Sequence, residues 1–497
     1  MLGLGSIGRA CLLLLGASIL YTVLRIIYNV FLHPLRHYPG PLLWQATRLR
    51  WVIALQRGYL HRDLLDLHNQ YGPVVRIAPD ELSFIDPQAW KDIYTTRSGH
   101  ATIERGAVWF RKTTPDEPNS IMGYDEDHHA RFRRAFMGAF SDKAVKDQSP
   151  LIEKYVDLMM QKFKEKVNTG SSDVDIVSWL NFVTFDISGD LSFGQSFDST
   201  SHGRPHPWVE IACRFGKGIA LVASINHYAP LQKLLKYALP VKVREKMIYH
   251  RQLSAQKVRQ RLELQEERSD FIGSVLRYNQ EKTEKVTPEE LELNMSVFVF
   301  AGSETTSTAI AAVLFGLLKS PDAMRKVIEE VRSSFDAEED ITAASTAKLQ
   351  YLAAVISEGM RLGPPSVIGV PRVTPRGGKE ICGRWVPDGT FVAVNQYPAF
   401  RSSTNFGNPG EFRPERFLGP QNPEDNLAVF QPFLVGRHQC IGQKFAWAEM
   451  RLILARLLYV FDVSWATATA PAIDDWGQQQ TFIFWQKEPL EIRLALR

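Results

Sequence analysis

The chain has 497 residues, enough at about 150 per domain for a large buried core. With 45% hydrophobic and 23% charged residues it has an ordinary globular composition, which excludes a disordered chain, a collagen-like chain and a polytopic membrane protein. The net charge of +4 is too small to argue for nucleic acid, and the four cysteines (Cys11, Cys213, Cys382, Cys440) form no CxxC pair, so a disulfide framework or structural zinc site is not expected.

From Ala10 the chain is almost wholly apolar to Leu24 and, past Arg25, to Leu32, a run of 23 residues. At about 1.5 Å per residue this predicts one transmembrane helix within residues 1–32; a cleaved signal peptide would have a shorter apolar core, and a buried core helix is the competing reading. Residues 33–41, His33-Pro34-Leu35-Arg36-His37-Tyr38-Pro39-Gly40-Pro41, read as a stiff strap. Arg25, Arg36, Arg48 and Arg50 follow the apolar core, which places everything after the anchor on the cytosolic side. Gly3, Gly5 and Gly8 match GxGxxG, but no strand can precede them and the first acidic residue is Asp63, so a dinucleotide site is rejected.

Beyond Pro41 no linker or repeat divides the chain. Val74–Ile77 and Glu81–Ile85 read as strands of a small sheet, Leu151–Val167 as an amphipathic helix, and Arg244–Arg268 as a charged surface helix. Thr287-Pro288-Glu289-Glu290 is a capping box that opens a helix running to about Lys319, apolar nearly all round from Met295 to Ala312 and therefore buried. Set into it are Ala301-Gly302-Ser303-Glu304-Thr305-Thr306, and a glycine and a carboxylate inside a buried helix carry a cost that asks for a reason. Asn294-Met295-Ser296 fits a glycosylation sequon, but in this helix it is expected to stay unmodified. The fold class is mainly α with a minor β-sheet.

Cys440 lies in Phe433-Leu-Val-Gly436-Arg-His438-Gln-Cys440-Ile-Gly442, followed at once by an amphipathic helix, Gln443–Phe461. A helix start favours a thiolate, and glycines at 436 and 442 let the backbone turn tightly beside a flat ligand. This loop resembles the haem-binding signature of the cytochrome P450 superfamily, FxxGxRxCxG, matching at Phe433, Gly436, Cys440 and Gly442, with His438 in place of the usual arginine. Ala301-Gly-Ser-Glu304-Thr305-Thr resembles the superfamily's oxygen-activation motif. Glu358-Gly-Met-Arg361 resembles its ExxR, 440 − 358 = 82 residues before the cysteine, and Pro414-Glu-Arg416-Phe417 resembles the downstream partner. His129-Ala-Arg-Phe-Arg133 aligns with WxxxR, histidine standing for tryptophan.

The resemblance implies a P450-like fold behind a single N-terminal transmembrane helix, with residues 42–497 as a haem-thiolate catalytic domain. It implies haem b with Cys440 as axial iron ligand. Haem carboxylates would be held by His129, Arg133, Arg372 and His438, the last with a charge that depends on pH. Phe433 would shield the sulfur, Ala301 and Gly302 leave room for dioxygen, and Thr305 and Glu304 relay protons, while Glu358, Arg361 and Arg416 form a buried ion-pair triad. The implied enzyme is a monooxygenase that inserts one atom of O₂ into a lipophilic small molecule. Its electrons come from NADPH through a separate cytochrome P450 reductase, and its place is the endoplasmic reticulum membrane. The pattern is most similar to fungal microsomal enzymes of secondary metabolism that oxidise terpenoid, polyketide or alkaloid scaffolds. Two other readings stand beside it: a haem-thiolate isomerase or dehydratase that needs no reductase, and a haem-binding sensor without turnover.

Overall fold

In the computed structural model the described residues are 2–96, 102–110, 112, 117–208, 215–228, 241–264, 268–420, 422–466 and 474–497. Helix accounts for 62% and strand for 9%, in keeping with an α-rich chain carrying a minor sheet.

Helix α1 (Leu2–Ile27) runs into a π-helical turn, Tyr28–Leu32. The stretch Cys11–Leu32 has a mean hydropathy of 2.0 with nothing in its most apolar window buried, so by length and composition it can cross a membrane. The strap leaves it as a short 3₁₀ turn, Pro34–His37, with the His33 ring accepting from the Leu35 N–H at 3.1 Å. It is docked on the body: Leu35 is buried, the Pro39 carbonyl accepts from Arg76 N–H at 2.7 Å, and the Arg76 guanidinium donates to the Asn29 carbonyl at 2.9 Å.

The strands in chain order are β1 (Val74–Ala78), β2 (Glu81–Phe84), β3 (Glu104–Arg105), β4 (Asp173–Asp175), β5 (Arg372–Val373), β6 (Lys379–Ile381), β7 (Arg384–Val386), β8 (Phe391–Val394), β9 (Phe461–Trp465) and β10 (Glu491–Leu496). The largest sheet has the order β1-β2-β8-β5-β3; β4-β10-β9 make a second, and β6-β7 a hairpin. Pairing of β3 with β5 sets Arg105 directly opposite Arg372. The expected first two strands exist with slightly shifted ends, and β1 is buried along its whole length, Arg76 included, because elements cover both of its faces.

The helices that position the site are α2 (Glu126–Phe136), α3 (Asp142–Asn168), α4 (Ile176–Phe193), α5 (Val241–Glu263), α6 (Pro288–Lys319), α7 (Gln350–Leu362) and α8 (Gln443–Val460). Helix α3 starts nine residues before Leu151, because Ser141 caps it (Ala144 N–H to Oγ, 3.2 Å) and Pro150 is accommodated inside. Helix α5 ends at Glu263 rather than Arg268; residues 265–267 lie outside the described ones. Helix α8 ends at Val460, and Phe461 opens β9.

Helix α6 has the expected bounds. Both bonds of its capping box are made, Glu290 N–H to Thr287 Oγ1 at 3.3 Å and Thr287 N–H to Glu290 Oε2 at 3.1 Å. It too is apolar enough to cross a membrane, but 72% of its most apolar window is buried in protein, so it is the core helix. It lies along α4, where Ser303 Oγ donates to the Thr184 carbonyl at 3.0 Å and Thr184 Oγ1 to the Ser303 carbonyl at 3.2 Å. The Asn294 amide is fully buried and engaged, accepting from Ile121 N–H at 2.8 Å and donating to the Glu290 carbonyl at 2.7 Å, so glycosylation there is incompatible with the fold.

Candidate active site

The loop from Phe433 to Gly442 is folded back by two left-handed residues, Leu434 (φ 60°) and Gly436 (φ 75°). A Cβ at 436 would lie 2.2 Å from the Tyr94 carbonyl oxygen, so glycine meets both the torsional and the steric demand. The turn carries the Cys440 N–H onto the Phe433 carbonyl at 2.8 Å, and α8 begins at Gln443. Gly442 is different. Its φ of −88° suits any residue, and an added Cβ would meet only a Phe140 ring carbon at 3.8 Å. The protein itself does not require glycine there, which leaves that side of the loop open to a close-fitting flat ligand.

Cys440 is reachable by a solvent-sized probe, yet its thiol is surrounded by protein. It therefore lines an internal space. Burial pushes the thiol up, opposed by the Gly442 N–H and the Arg133 guanidinium. The expected help from the helix start is present but weaker than the desolvation, which corrects the sequence reading of a thiolate favoured in the chain by itself.

On α6, Val297, Ala301 and Thr305 form an open stripe on a helix whose residues Phe298, Val299, Ser303, Glu304 and Thr306 are buried. The Thr305 hydroxyl donates to the Ala301 carbonyl at 2.7 Å, so its proton is held at the floor of that stripe. Gly302 serves a purpose other than the expected one: an added Cβ would come within 2.9 Å of Ser188 Oγ, so the glycine lets α6 approach α4. Glu304 has a partner that no motif announces. Its Oε1 accepts from the buried Lys487 ammonium at 2.9 Å, and that ammonium also donates to Asn181 Oδ1, Ser307 Oγ and Thr308 Oγ1 at 3.0–3.2 Å.

The four residues expected to hold haem carboxylates cluster, with differences. The His129 and His438 rings lie against each other, tilted by 34° with 4.3 Å between centroids. His129 Nδ1 is 2.8 Å from the Ile121 carbonyl and Nε2 is 3.4 Å from the Arg437 carbonyl, so both nitrogens face backbone, and His129 braces the loop rather than presenting a donor to an anion. Arg133 spends one N–H on the Gln439 carbonyl at 2.7 Å, next to the cysteine. Arg372 is 2% exposed, stacks on the Tyr94 ring at 5.2 Å and has a buried Nε without a partner. His438 lies in the same cluster, 6% exposed, but its charge does not follow pH near neutrality: burial, with Arg105 and Arg372 nearby, presses its pKa down to about 3 against the pull of Glu126, so it serves as a neutral donor.

Residues 37–491 match the family described as Cytochrome P450. The chain belongs to the cytochrome P450 family. It is 40% identical over 491 residues to the averantin hydroxylase of Dothistroma septosporum, which covers 97% of this chain and 91% of that relative. It is 40% identical over 480 residues to the cytochrome P450 monooxygenase aclL of Aspergillus oryzae (96% of each chain), and 38% identical over 481 residues to the cytochrome P450 monooxygenase atr2 of Stereocaulon alpinum (96% of this chain, 93% of the relative). The chain is thus a P450 monooxygenase with haem b as cofactor, similar to fungal enzymes of secondary metabolism. The P450 site fits that group: a buried arginine nitrogen stands ready for a carboxylate, and the loop is open on the Gly442 side.

Beneath the site lies the P450's buried ion-pair network. Arg361 grips Glu358 with two parallel bonds of 2.7 and 2.8 Å, and Arg416 Nε reaches Glu358 Oε1 at 3.3 Å. A residue missed from the sequence completes it: Asp425, fully buried, takes Arg416 and Arg413. The remaining Arg361 N–H groups donate to the Phe400, Pro409 and Glu411 carbonyls, so the guanidinium of Arg361 is fully engaged.

Glu449 on α8 also escaped the sequence reading. It is fully buried, neither carboxyl oxygen has an aligned partner, and burial, only partly offset by Thr306, holds its pKa well above the ordinary 4.5. An acid protonated in the fold but ionised when unfolded contributes stability below pH 4.5 that is lost as the pH rises towards the folded value, at about 1.4 kcal/mol per pH unit. Glu449→Gln should therefore raise the thermal midpoint at neutral pH and flatten its decline with pH. Melting curves of both proteins across about pH 5 to 8 check this; parallel curves would show that the carboxyl stays ionised in the fold.

Proposed function

We propose that this P450 hydroxylates or epoxidises a lipophilic small molecule of secondary metabolism, with two electrons delivered from NADPH by a separate membrane-bound cytochrome P450 reductase. The observation that carries the reading is the open stripe Val297–Ala301–Thr305 on the core helix α6, in a chain whose Cys440 also opens on an internal space. Cys440 would hold the iron, and Arg372, with His438 as a neutral donor, the haem carboxylates; bound haem supplies dioxygen activation, which thiolate ligation favours.

The chain's own residues do the rest. Thr305 holds a proton at Oγ1 on the open stripe of α6, and Glu304, fixed by Lys487 with Ser307 and Thr308 around it, is the charged end of a polar path under the same helix. Ala301 keeps that face low. Phe433 packs at the edge of the core beside Trp447 and keeps water from the sulfur side. The resemblance places substrate contacts at roughly 101–122, 209–239, 297–305, 364–370 and 478–484; there Phe484 packs edge-on against Phe300 of α6 at 4.9 Å and Ile368 touches two core clusters, whereas Phe482 is buried in the cluster of Trp51 and Leu55. Ala101, residues 209–214 and residues 229–239 lie outside the described ones.

Residues 1–32 anchor the protein in the endoplasmic reticulum membrane, 33–41 tie the anchor to the body, and 42–497 form the cytosolic catalytic domain. The hydroxyl of Thr305 is one a relay cannot spare: Thr305→Ala should keep the haem spectrum and NADPH consumption while product per NADPH falls on the order of 10²-fold and hydrogen peroxide rises to match. The deciding experiment is reductase-dependent NADPH and O₂ consumption by the membrane-bound protein over a panel of lipophilic scaffolds. Oxygenated product confirms the reading; consumption of neither with any scaffold would favour the isomerase reading.

A further inference from the structure

Strand pairing sets Arg105 directly opposite Arg372, and like charges facing each other across a ladder are unfavourable unless an anion lies between or beside them. Arg372 is 2% exposed and Arg105 donates to the Ile121 and Gly123 carbonyls, so neither escapes to water. Burial first, then Arg372, presses the Arg105 pKa down to about 9, against the pull of Glu126.

Among the described residues, a carboxylate at the start of α2 enters this cluster. Glu126, in the first turn of α2, places Oε1 3.8 Å from Arg372 Nη1, and Oε2 3.3 Å from Arg437 Nη1 and 3.1 Å from His438 Nε2. Both oxygens are buried, and neither is aligned with a donor as a hydrogen bond. Burial alone would raise Glu126; His438, Arg437 and Arg372 outweigh it and hold it at about 2, so it stays charged. It therefore sits among the donors given above to the haem carboxylates, loosely enough to share them.

We infer that Glu126 is an internal anion of the haem-carboxylate cradle: it keeps Arg372, Arg437 and His438 assembled, and with haem bound it competes with the haem carboxylates for them and adds negative charge beside the cofactor. Two consequences follow. The competition weakens haem retention, and the added charge disfavours the reduced, more electron-rich state of the haem. The inference rests on the haem-binding reading above, and the parent's ferrous–CO spectrum tests that reading separately.

The test uses the full-length membrane-bound holoenzyme, its Glu126→Gln variant and its Glu126→Asp variant, which keeps the charge. Two quantities are read: the rate of haem transfer to excess apomyoglobin, and the ferric/ferrous midpoint potential. Glu126→Gln should slow transfer severalfold and move the potential to more positive values, while Glu126→Asp, with its charge kept, should stay near the parent's potential. A side chain that only shaped the loop would speed haem loss in both variants and leave the potential unmoved. The inference is overturned if Glu126→Gln loses haem as fast as the parent or faster, or if its potential fails to rise; should Glu126→Gln not fold, Glu126→Ala takes its place and the same two outcomes overturn it.

Discussion

Replacing Cys440 by alanine is expected to abolish the red-shifted Soret band of the reduced, CO-treated protein completely, because that band requires a thiolate on the iron. The surroundings argue that nothing else can take over. The Cys440 backbone is fixed by its bond to the Phe433 carbonyl, and Arg133 grips the preceding carbonyl, so the loop cannot shift to offer another side chain. His438, two residues before, is committed beside Glu126 and packed against His129, which keeps the nearest nitrogen ligand away from the iron position. Some haem should still bind through the carboxylate cradle and the apolar walls, giving a band at the shorter, non-thiolate wavelength. Cys440→Ser separates ligand chemistry from packing: it preserves the volume and should lose the same band. A full-height thiolate band in either variant would remove Cys440 from its role and, with it, the proposed mechanism.

The parts of this site that were legible in the sequence are those in which chemistry is local along the chain. The cysteine loop carries its own turn residues, and its left-handed Gly436 follows from contacts within a few residues and one neighbour, Tyr94. Helix α6 announces its start through a capping box and its burial through an all-round apolar surface, so its bounds were readable to the residue. Glu358 and Arg361 share one helical turn. What could not be read is what other elements bring in from a distance. Lys487 reaches Glu304 from near the C-terminus, Asp425 closes the ion-pair network from a loop, and Glu126 meets Arg372, Arg437 and His438 from the start of α2; each looks like an ordinary surface charge in sequence. His129 shows the intermediate case. Its place on α2 was correct, but the direction of its nitrogens depends on where the Ile121 segment passes, which Asn294 of α6 decides. Strand β1 lacks clean alternation for a related reason: it is covered on both faces, so burial rather than period dictates its residues.

Glu358→Gln is the second large effect. The carboxylate is fully buried and receives two bonds from Arg361, one from Arg416 and one from the Arg413 N–H at 2.8 Å. The neutral amide cannot accept in both directions; it leaves Arg361 buried without its carboxylate, while Arg416 keeps Asp425. Breaking a buried pair on one side costs about 3–5 kcal/mol, against a total stability of about 5–15 kcal/mol for a folded domain, so the variant should lose about a fifth of its stability or more. The expected readouts are a marked fall in the thermal midpoint and a largely absent ferrous–CO signal, since the loop that carries Cys440 is built on this layer. The asymmetry between losing one partner and losing both gives the control. Glu358→Gln combined with Arg361→Met removes charge and counter-charge together, and should recover part of the lost stability although it deletes more native contacts. If the double variant were no more stable than Glu358→Gln, the bonds that Arg361 gives to the Phe400, Pro409 and Glu411 carbonyls would outweigh the relief of its uncompensated charge. The network would then be a backbone clamp that happens to be ionic.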